Sequence, residues 1–304
     1  MNNYHGGGKK GSFFEGWYVR LSGDAGTIAF IPGISISGQG EKTAFIQVAC
    51  EQGSYYIPYP VSAVACARHQ PAVKVGENLF TEKGVRVSIH TGGLDCEGTM
   101  HYGPLSPLRY DIMGPFSGVP FMQCNHGVIS MRHTLSGSLM LNGREMDFTG
   151  GTGYLEKDWG TSFPASYLWV QCNRFIALGA KPCAVMASVA DIPFLGMPFL
   201  GCICAVQYGK KEYRLATYTG ARVLRWDGSG LVLKQGGAML VVDVQSDSSQ
   251  VLKAPRQGDM SRTIREQVSC TARLRFYAHN TLLFDYKGIA AGFEYVPQET
   301  VTSL

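Results

Sequence analysis

Gly153–Gly160 reads GYLEKDWG and lies near the middle of a chain of 304 residues. In an extended strand, alternate side chains point to the same face. Glu156 and Asp158 are therefore expected on one face. The other face is expected to carry Leu155, Lys157 and Trp159. Carboxyl groups set among aromatic side chains are typical of a strand that lines a ligand cavity, because cavities are mostly apolar with a few placed polar groups.

A second segment of this kind, YLWVQCN, spans Tyr167–Asn173. One face of that strand is expected to carry Tyr167, Trp169, Gln171 and Asn173. A tryptophan and an asparagine on a single face favour a second wall of the same cavity over a solvent-exposed strand.

The rest of the chain also favours strands. Apolar and polar residues alternate in short segments such as Val85–Ile89, and turn residues recur at a spacing of roughly ten residues. Asn142-Gly143 is typical of a tight hairpin turn. Only Ser261–Val268 suggests a helix, of two turns. We therefore predict an all-β protein with very little helix, composed of two antiparallel barrel-like or sandwich-like halves, residues 1–150 and 151–304.

Composition and cysteine spacing exclude several classes. The net charge is +4 and the basic residues are scattered, which disfavours nucleic-acid binding. The sequence contains nine cysteines, an odd number that cannot all pair within one chain, and most of them lie in apolar segments. We therefore expect free thiols in a reducing compartment. Cys202 and Cys204 have no second pair at ligand spacing, so no metal is expected.

The beginning of the sequence does not resemble a signal peptide, and no stretch reaches the ~18 apolar residues of a membrane-spanning helix. We expect a cytoplasmic protein with at most peripheral membrane contact; its oligomeric state is left open. The motifs GxSxG, HExxH, GxGxxG and the P-loop are absent, which disfavours the common hydrolase, metalloprotease and nucleotide chemistries.

Glu156 and Asp158 are the first candidates for acid–base chemistry. A carboxyl group in an apolar pocket has a raised pKa and can act as a general acid. The alternative is an ion pair with Lys157, Arg174 or Lys181, and the sequence does not decide between the two.

Glu15 and His126 are further candidates. Glu15 lies among aromatic residues in the segment FFEGWY, and it either lines the same cavity or is a hydrogen-bonded member of the core. His126 could shuttle a proton. By composition alone we favour a core histidine that is satisfied by the backbone.

Seven motifs resemble the tocopherol cyclase family, in the family's order and over nearly the whole chain. They are FFEGWY (13–18), MGPF (113–116), CNHGV (124–128), GYLEKDWG (153–160), SFP (162–164), WVQCN (169–173) and AGFE (291–294). Because the sequence shows no transit peptide, it resembles a bacterial member.

The resemblance implies a lipocalin-like fold of two β-barrel halves, similar to carotenoid 1,2-hydratases. It implies ring closure of a prenylated hydroquinone, in which an acid protonates the alkene and the phenol oxygen captures the tertiary cation. In the related hydratases, water captures the cation. Neither reaction needs a redox cofactor or a metal, so no cofactor is expected. The expected partner is a small hydrophobic or amphiphilic prenylated ligand.

The residues fit this chemistry in the following roles. Asp158 or Glu156 is expected to be the acid, with Glu15 as the remote residue that meets them. The expected aromatic wall around the cation contains Trp17, Tyr18, Trp159 and Trp169. Gln171 and Asn173 are expected to bind the quinol hydroxyls, and His126 belongs to the same substrate-binding set. The alternatives are an isoprenoid hydratase of the same fold and a non-catalytic carrier of a lipid.

Overall fold

The computed structural model describes residues 4–67, 72–91, 93–120, 122–176, 181–194, 197–245 and 248–298. Within them, twenty-three strands form two large antiparallel sheets, and the helical content is three short 3₁₀ turns, Val61–Ala63, Gly114–Gly118 and Thr217–Thr219. The all-β prediction is therefore confirmed. No helix in these described ranges is long and apolar enough to cross a membrane.

The first sheet takes its strands from the N-terminal half of the chain. They are β1 (Phe13–Gly23), β2 (Gly26–Ile36), β3 (Lys42–Cys50), β4 (Gly53–Tyr59), β5 (Val64–Cys66), β6 (Ala72–Val75), β7 (Asn78–Thr81), β8 (Gly84–His90), β9 (Asp95–Tyr102), β10 (Cys124–Leu141), β11 (Arg144–Asp147) and β12 (Thr152–Gly160). Their order is β4-β3-β2-β1-β12-β10-β9-β8-β7-β6-β5, and β11 pairs with β10. Strand β12 is thus central, between β1 and β10.

The second sheet contains the remaining strands. They are β13 (Tyr167–Cys172), β14 (Phe175–Ile176), β15 (Cys183–Phe194), β16 (Met197–Tyr208), β17 (Lys211–Ala216), β18 (Arg222–Asp227), β19 (Gly230–Gln235), β20 (Ala238–Gln245), β21 (Gln250–Arg256), β22 (Asp259–Ala278) and β23 (Thr281–Val296). The order is β17-β16-β15-β13-β23-β22-β20-β19-β18, with β14 on β23 and β21 on β22.

The structure refines one sequence-based prediction and corrects another. Barrel-like or sandwich-like halves were expected, and over the described residues the strand order of each sheet is an open path that ends in two edge strands, so neither sheet is a closed barrel. Ser261–Val268 is not helical and lies inside β22. There Ile264, Glu266 and Val268 are buried while the residues between them are more exposed, which is the period-two burial of a strand.

The chain divides into two compact units. The first contains Met1–Phe163 and Gln250–Thr263, and the second contains Pro164–Ser249 and Ile264–Leu304. Gln47 links the later segment to the first unit, because its side chain donates to Lys253 O (2.9 Å) and accepts from Lys253 N (2.8 Å). The division predicted at residue 150 stays a prediction; β12 belongs to the first unit.

Each unit buries its own apolar cluster. In the first unit, the inward side chains of β1 and β12 include Trp17, Val19, Leu21 and Leu155. The second unit buries the alternate residues Leu168, Val170 and Cys172 of β13 against its neighbours. The strand alternation therefore assigns each polar side chain of β1, β12 and β13 to a known face.

Candidate active site

Strand β12 presents Glu156 and Asp158 on the face opposite the apolar cluster. In the antiparallel register, Asp158 lies opposite Gly16 of β1 and His126 of β10, and Glu156 lies opposite Tyr18 and Val128. Cross-strand partners share a face, so these carboxyl groups, His126 and Tyr18 lie on the same side of the sheet. The alternation predicted from the sequence is thus present.

Four side chains on this face form a connected group, which we call the proton cluster: His126, Tyr154, Glu156 and Asp158. His126 Nδ1 lies 2.7 Å from Asp158 Oδ1, and its Nε2 lies 3.3 Å from Glu156 Oε2. The Tyr154 hydroxyl donates to Glu156 Oε2 at 2.5 Å. Tyr154 and Glu156 are buried, and the side chains of His126 and Asp158 are only 12% and 17% exposed.

The two carboxylates determine the charge of His126. Burial alone would lower the pKa of the imidazole, but the charges of Asp158 and Glu156 and the Asp158 hydrogen bond outweigh burial and raise it to about 9. Burial and the charge of Glu156 raise the pKa of the Tyr154 phenol well above its usual value. At neutral pH the cluster therefore contains an imidazolium and a neutral phenol.

The geometry suits acid–base chemistry at Nε2. Asp158 fixes the ring through Nδ1, whereas the buried Nε2 makes no hydrogen bond of normal geometry to the described residues. A histidine that is oriented by a hydrogen bond at one nitrogen, and that makes only a longer ion-pair contact at the other, can give and take a proton at the second nitrogen.

Three residues of the proton cluster are also of the types that bind metal ions. One ligand atom each from His126, Glu156 and Asp158 can be chosen within 4.8 Å of one another. However, the imidazole lies between the two carboxylates and turns a different nitrogen to each. A metal ligand set directs one atom per residue at a common centre. The arrangement therefore fits a shared proton better than a cation.

Glu15 does not join the proton cluster, contrary to the sequence-based expectation. It lies on the opposite face, where its Oε1 is 3.0 Å from Lys157 Nζ, and both side chains are almost completely buried. The reason is the alternation of the strands. Glu15 lies opposite Trp159, whereas its neighbour Gly16 lies opposite Asp158, so Glu15 and Asp158 point to opposite faces of the sheet. Lys157 is accordingly the partner of Glu15, and the cation shown beside Glu156 and Asp158 is His126.

Two of the expected wall tryptophans also lie on the face of Glu15. Lys157 Nζ lies 5.9 Å from the ring of Trp17 and 5.0 Å from that of Trp159. Tyr18 lies on the face of the proton cluster, and its ring is in edge contact with that of Tyr154, with the ring centroids 6.4 Å apart. Trp17 and Trp159 therefore lie on the opposite face from Glu156 and Asp158, and their role in substrate binding stays a prediction.

The remaining candidates lie in the second unit. Tyr167, Trp169 and Gln171 share the face of β13 opposite its apolar cluster, and all are buried. Tyr167 donates to Glu294 at 2.6 Å, and Asn173, just after the strand, is buried too. A role in substrate binding stays a prediction for Trp169, Gln171 and Asn173.

The sequence did not single out Tyr154, and it gave His126 the wrong partners. Tyr154 precedes Glu156 by two residues on a strand, so a shared face was available as a signal. The His126 ring is hydrogen-bonded to the carboxylate of Asp158, whereas the sequence favoured a histidine satisfied by the backbone. No local signal connects it to Asp158, 32 residues away.

Comparison with known proteins shows the family. The family model described as "Tocopherol cyclase-like" matches residues 100–294, which is more than half of the chain. Two curated relatives are the "Probable tocopherol cyclase, chloroplastic" of Oryza sativa subsp. japonica, 27% identical over 128 residues, and the "Tocopherol cyclase, chloroplastic" of Zea mays, 32% identical over 75 residues. These matches cover 41% and 24% of this chain, but only 27% and 16% of the plant proteins.

Two solved structures share the fold. A Nitrosomonas europaea protein with the provisional name AttH aligns with a TM-score of 0.56 at 13% identity, over 93% of this chain and 92% of its own. The protein CghA aligns with a TM-score of 0.56 at 11% identity, over 95% of this chain and 89% of its own. At such identities the likeness supports the lipocalin-like fold alone.

Proposed function

Because the chain belongs to the tocopherol cyclase-like family, we propose that it is an acid-catalysed cyclase of a prenylated hydroquinone, with His126 as the proton carrier. The observation that carries the proposal is the imidazole of His126: Asp158 holds it through Nδ1, and its buried Nε2 faces Glu156 Oε2 at 3.3 Å without a hydrogen bond of normal geometry to the described residues.

The proposed reaction begins with transfer of the Nε2 proton to the alkene of the prenyl chain. A tertiary carbocation forms, the phenol oxygen attacks it, and a carbon–oxygen bond closes the ring. The phenol proton then returns to Nε2, so no proton is consumed overall and no electrons leave the substrate. None of these steps needs a redox cofactor.

The carboxylates assist this sequence in two ways. Loss of the proton from His126 leaves the negative charges of Asp158 and Glu156 beside the developing cation, where they stabilise it in a site of low dielectric. Once His126 has given up its proton, its neutral Nε2 can accept the proton that the oxygen releases on ring closure. Asp158 additionally holds the ring in one orientation.

The test uses a prenylated hydroquinone incubated with the purified protein in deuterated water. A cyclase gives a chromanol that carries one deuterium at the former alkene carbon. His126→Gln and Asp158→Asn are expected to lower kcat by roughly 10²-fold or more, the usual contribution of a positioned general acid. A chromanol formed at an unchanged rate by both variants would refute His126 as the proton carrier.

The chain offers a matched control in the same unit. His90 and Asp95 form a similar pair, with Nδ1 2.6 Å from Oδ1, but both side chains are more than half exposed. His90→Gln and Asp95→Asn are expected to leave kcat unchanged. An equal loss in all four variants would point to a nonspecific effect of replacing a histidine–aspartate pair, whereas loss of the proton carrier affects only the buried pair.

The same assay separates the alternatives. In oxygen-18 water, a hydratase would give a tertiary alcohol that contains the label, because water captures the cation. A carrier would bind the ligand without any product, and that binding would survive His126→Gln. Either result would overturn the cyclase proposal.

A further inference from the structure

The side chain of His5 covers the buried ion pair of Glu15 and Lys157. Its Nδ1 lies 3.3 Å from Glu15 Oε1 and 3.4 Å from Lys157 Nζ, and its backbone N–H donates to Glu15 Oε2 at 2.7 Å. His5 precedes the first strand, and its side chain is 32% exposed, while those of Glu15 and Lys157 are 0% and 1% exposed. Of the three side chains, His5 is therefore the one that solvent can reach.

The imidazole of His5 lies flat on Trp159. Their ring centroids are 4.2 Å apart and their planes differ by 7°. A planar heterocycle is typically held in a binding site by an aromatic ring that stacks on its face and by polar groups at its edge. Trp159 provides the stacking face here, and Glu15 and Lys157 provide the charged groups at the edge. The burial of Lys157 lowers the pKa of its ammonium group, an effect that Glu15 partly opposes.

His5 cannot form hydrogen bonds with both charged groups through the one nitrogen that faces them. Its Nδ1 faces both an acceptor, Glu15 Oε1, and a donor, Lys157 Nζ, yet a single neutral ring nitrogen either donates or accepts. The indole Nε1 of nearby Trp17 is also buried and makes no hydrogen bond to any described residue. A ring with a donor and an acceptor side by side would complement Glu15 and Lys157 together.

We propose that Glu15, Lys157 and Trp159 form a second binding site, for a planar heteroaromatic ring that presents a donor N–H beside an acceptor nitrogen. His5 is the occupant of this site in the unliganded chain, and the ligand takes its place. The site lies on the opposite face of β1 and β12 from the proton cluster, and it does not depend on the proposed cyclase activity.

The test replaces the occupant. His5→Gly is titrated with pyrazole, which has adjacent donor and acceptor nitrogens, and with imidazole, which does not, at a pH where both are neutral. We expect saturable changes in tryptophan fluorescence and in Tm, with pyrazole binding more tightly. The wild type is expected to respond at least tenfold more weakly, because His5 competes.

Two further variants keep the test decisive. His5→Phe retains the stacked ring and should abolish the response to pyrazole, and His90→Gly is a control for the loss of an unrelated exposed histidine. If His5→Gly does not fold, excess pyrazole should shift the His5 ring signals in the NMR spectrum of the wild type. An unsaturable response, or equal responses of His5→Gly, His90→Gly and the wild type, would overturn the site.

Discussion

The pH dependence of stability provides the most direct test of the proton cluster. The perturbation is His126→Gln, which keeps a polar side chain of similar length but removes the titrating group. The folded-state pKa of His126 is raised to about 9, above the ordinary imidazole value of 6.5. Its stabilising contribution is therefore complete below about pH 6.5 and is lost as the pH rises through 9.

The magnitude follows from the two pKa values. A difference of about 2.5 units corresponds to roughly 3 kcal/mol, since each unit represents ~1.4 kcal/mol. Wild type and His126→Gln should thus differ in unfolding free energy by about 3 kcal/mol more at pH 6 than at pH 10. The side chain is only 12% exposed, so solvent screens this charge weakly.

Urea denaturation at several values from pH 6 to pH 10 measures this difference. Other titrating groups are present in both proteins and largely cancel in the comparison. His90→Gln, at the exposed pair, should give a curve parallel to that of the wild type. Parallel curves for wild type and His126→Gln would refute the assigned charge state, and with it the proposed proton carrier.

Three other changes have expected outcomes. Tyr154→Phe removes the donor to buried Glu156 and should cost about 1–3 kcal/mol in urea denaturation. Gly153→Ala should cost about 1–3 kcal/mol as well, because its Cβ would lie 2.1 Å from Nε2 of the buried His133 ring. Burial raises the pKa of Cys66 to about 12, so its thiol should react with iodoacetamide far more slowly in the native protein than after unfolding.

Each of these has its own check. Gly7→Ala meets no atom within 4 Å and should be neutral, so an equal loss in Gly7→Ala and Gly153→Ala would contradict the steric reasoning. Wild-type stability of Tyr154→Phe would show that Glu156 does not need the phenol. Native labelling of Cys66 at the unfolded rate would show that its thiol is not protected.

The fold was predictable where the sequence signals are local. Asn142 and Gly143 have φ values of 49° and 80°, and they close the β10–β11 hairpin as their residue types predict. Strand alternation correctly placed Glu156 and Asp158 opposite Lys157. Ser261–Val268 failed because a short polar segment carries little periodic signal, and pairing in the sheet then decides its conformation.

The candidate site was predictable only in part, for a related reason. Its carboxyl groups are adjacent on one strand, whereas His126 meets them through the register of β10 against β12. That register is set by the whole pairing, including its bulges, and not by residues near His126. Glu15 is separated from Asp158 because β1 pairs Glu15 with Trp159 and Gly16 with Asp158. The spacing of these residues along the sequence does not predict that register.

Neighbouring side chains of β12 point to opposite faces of the sheet: Glu156 and Asp158 point to one face, and Lys157 points to the other. Loss of a single codon between them would move every following side chain to the wrong side of the sheet. Loss of two would restore the sides but shorten the strand. Evolution of this segment is therefore confined to exchanges of residues in place, while length variation is left to the turns at either end.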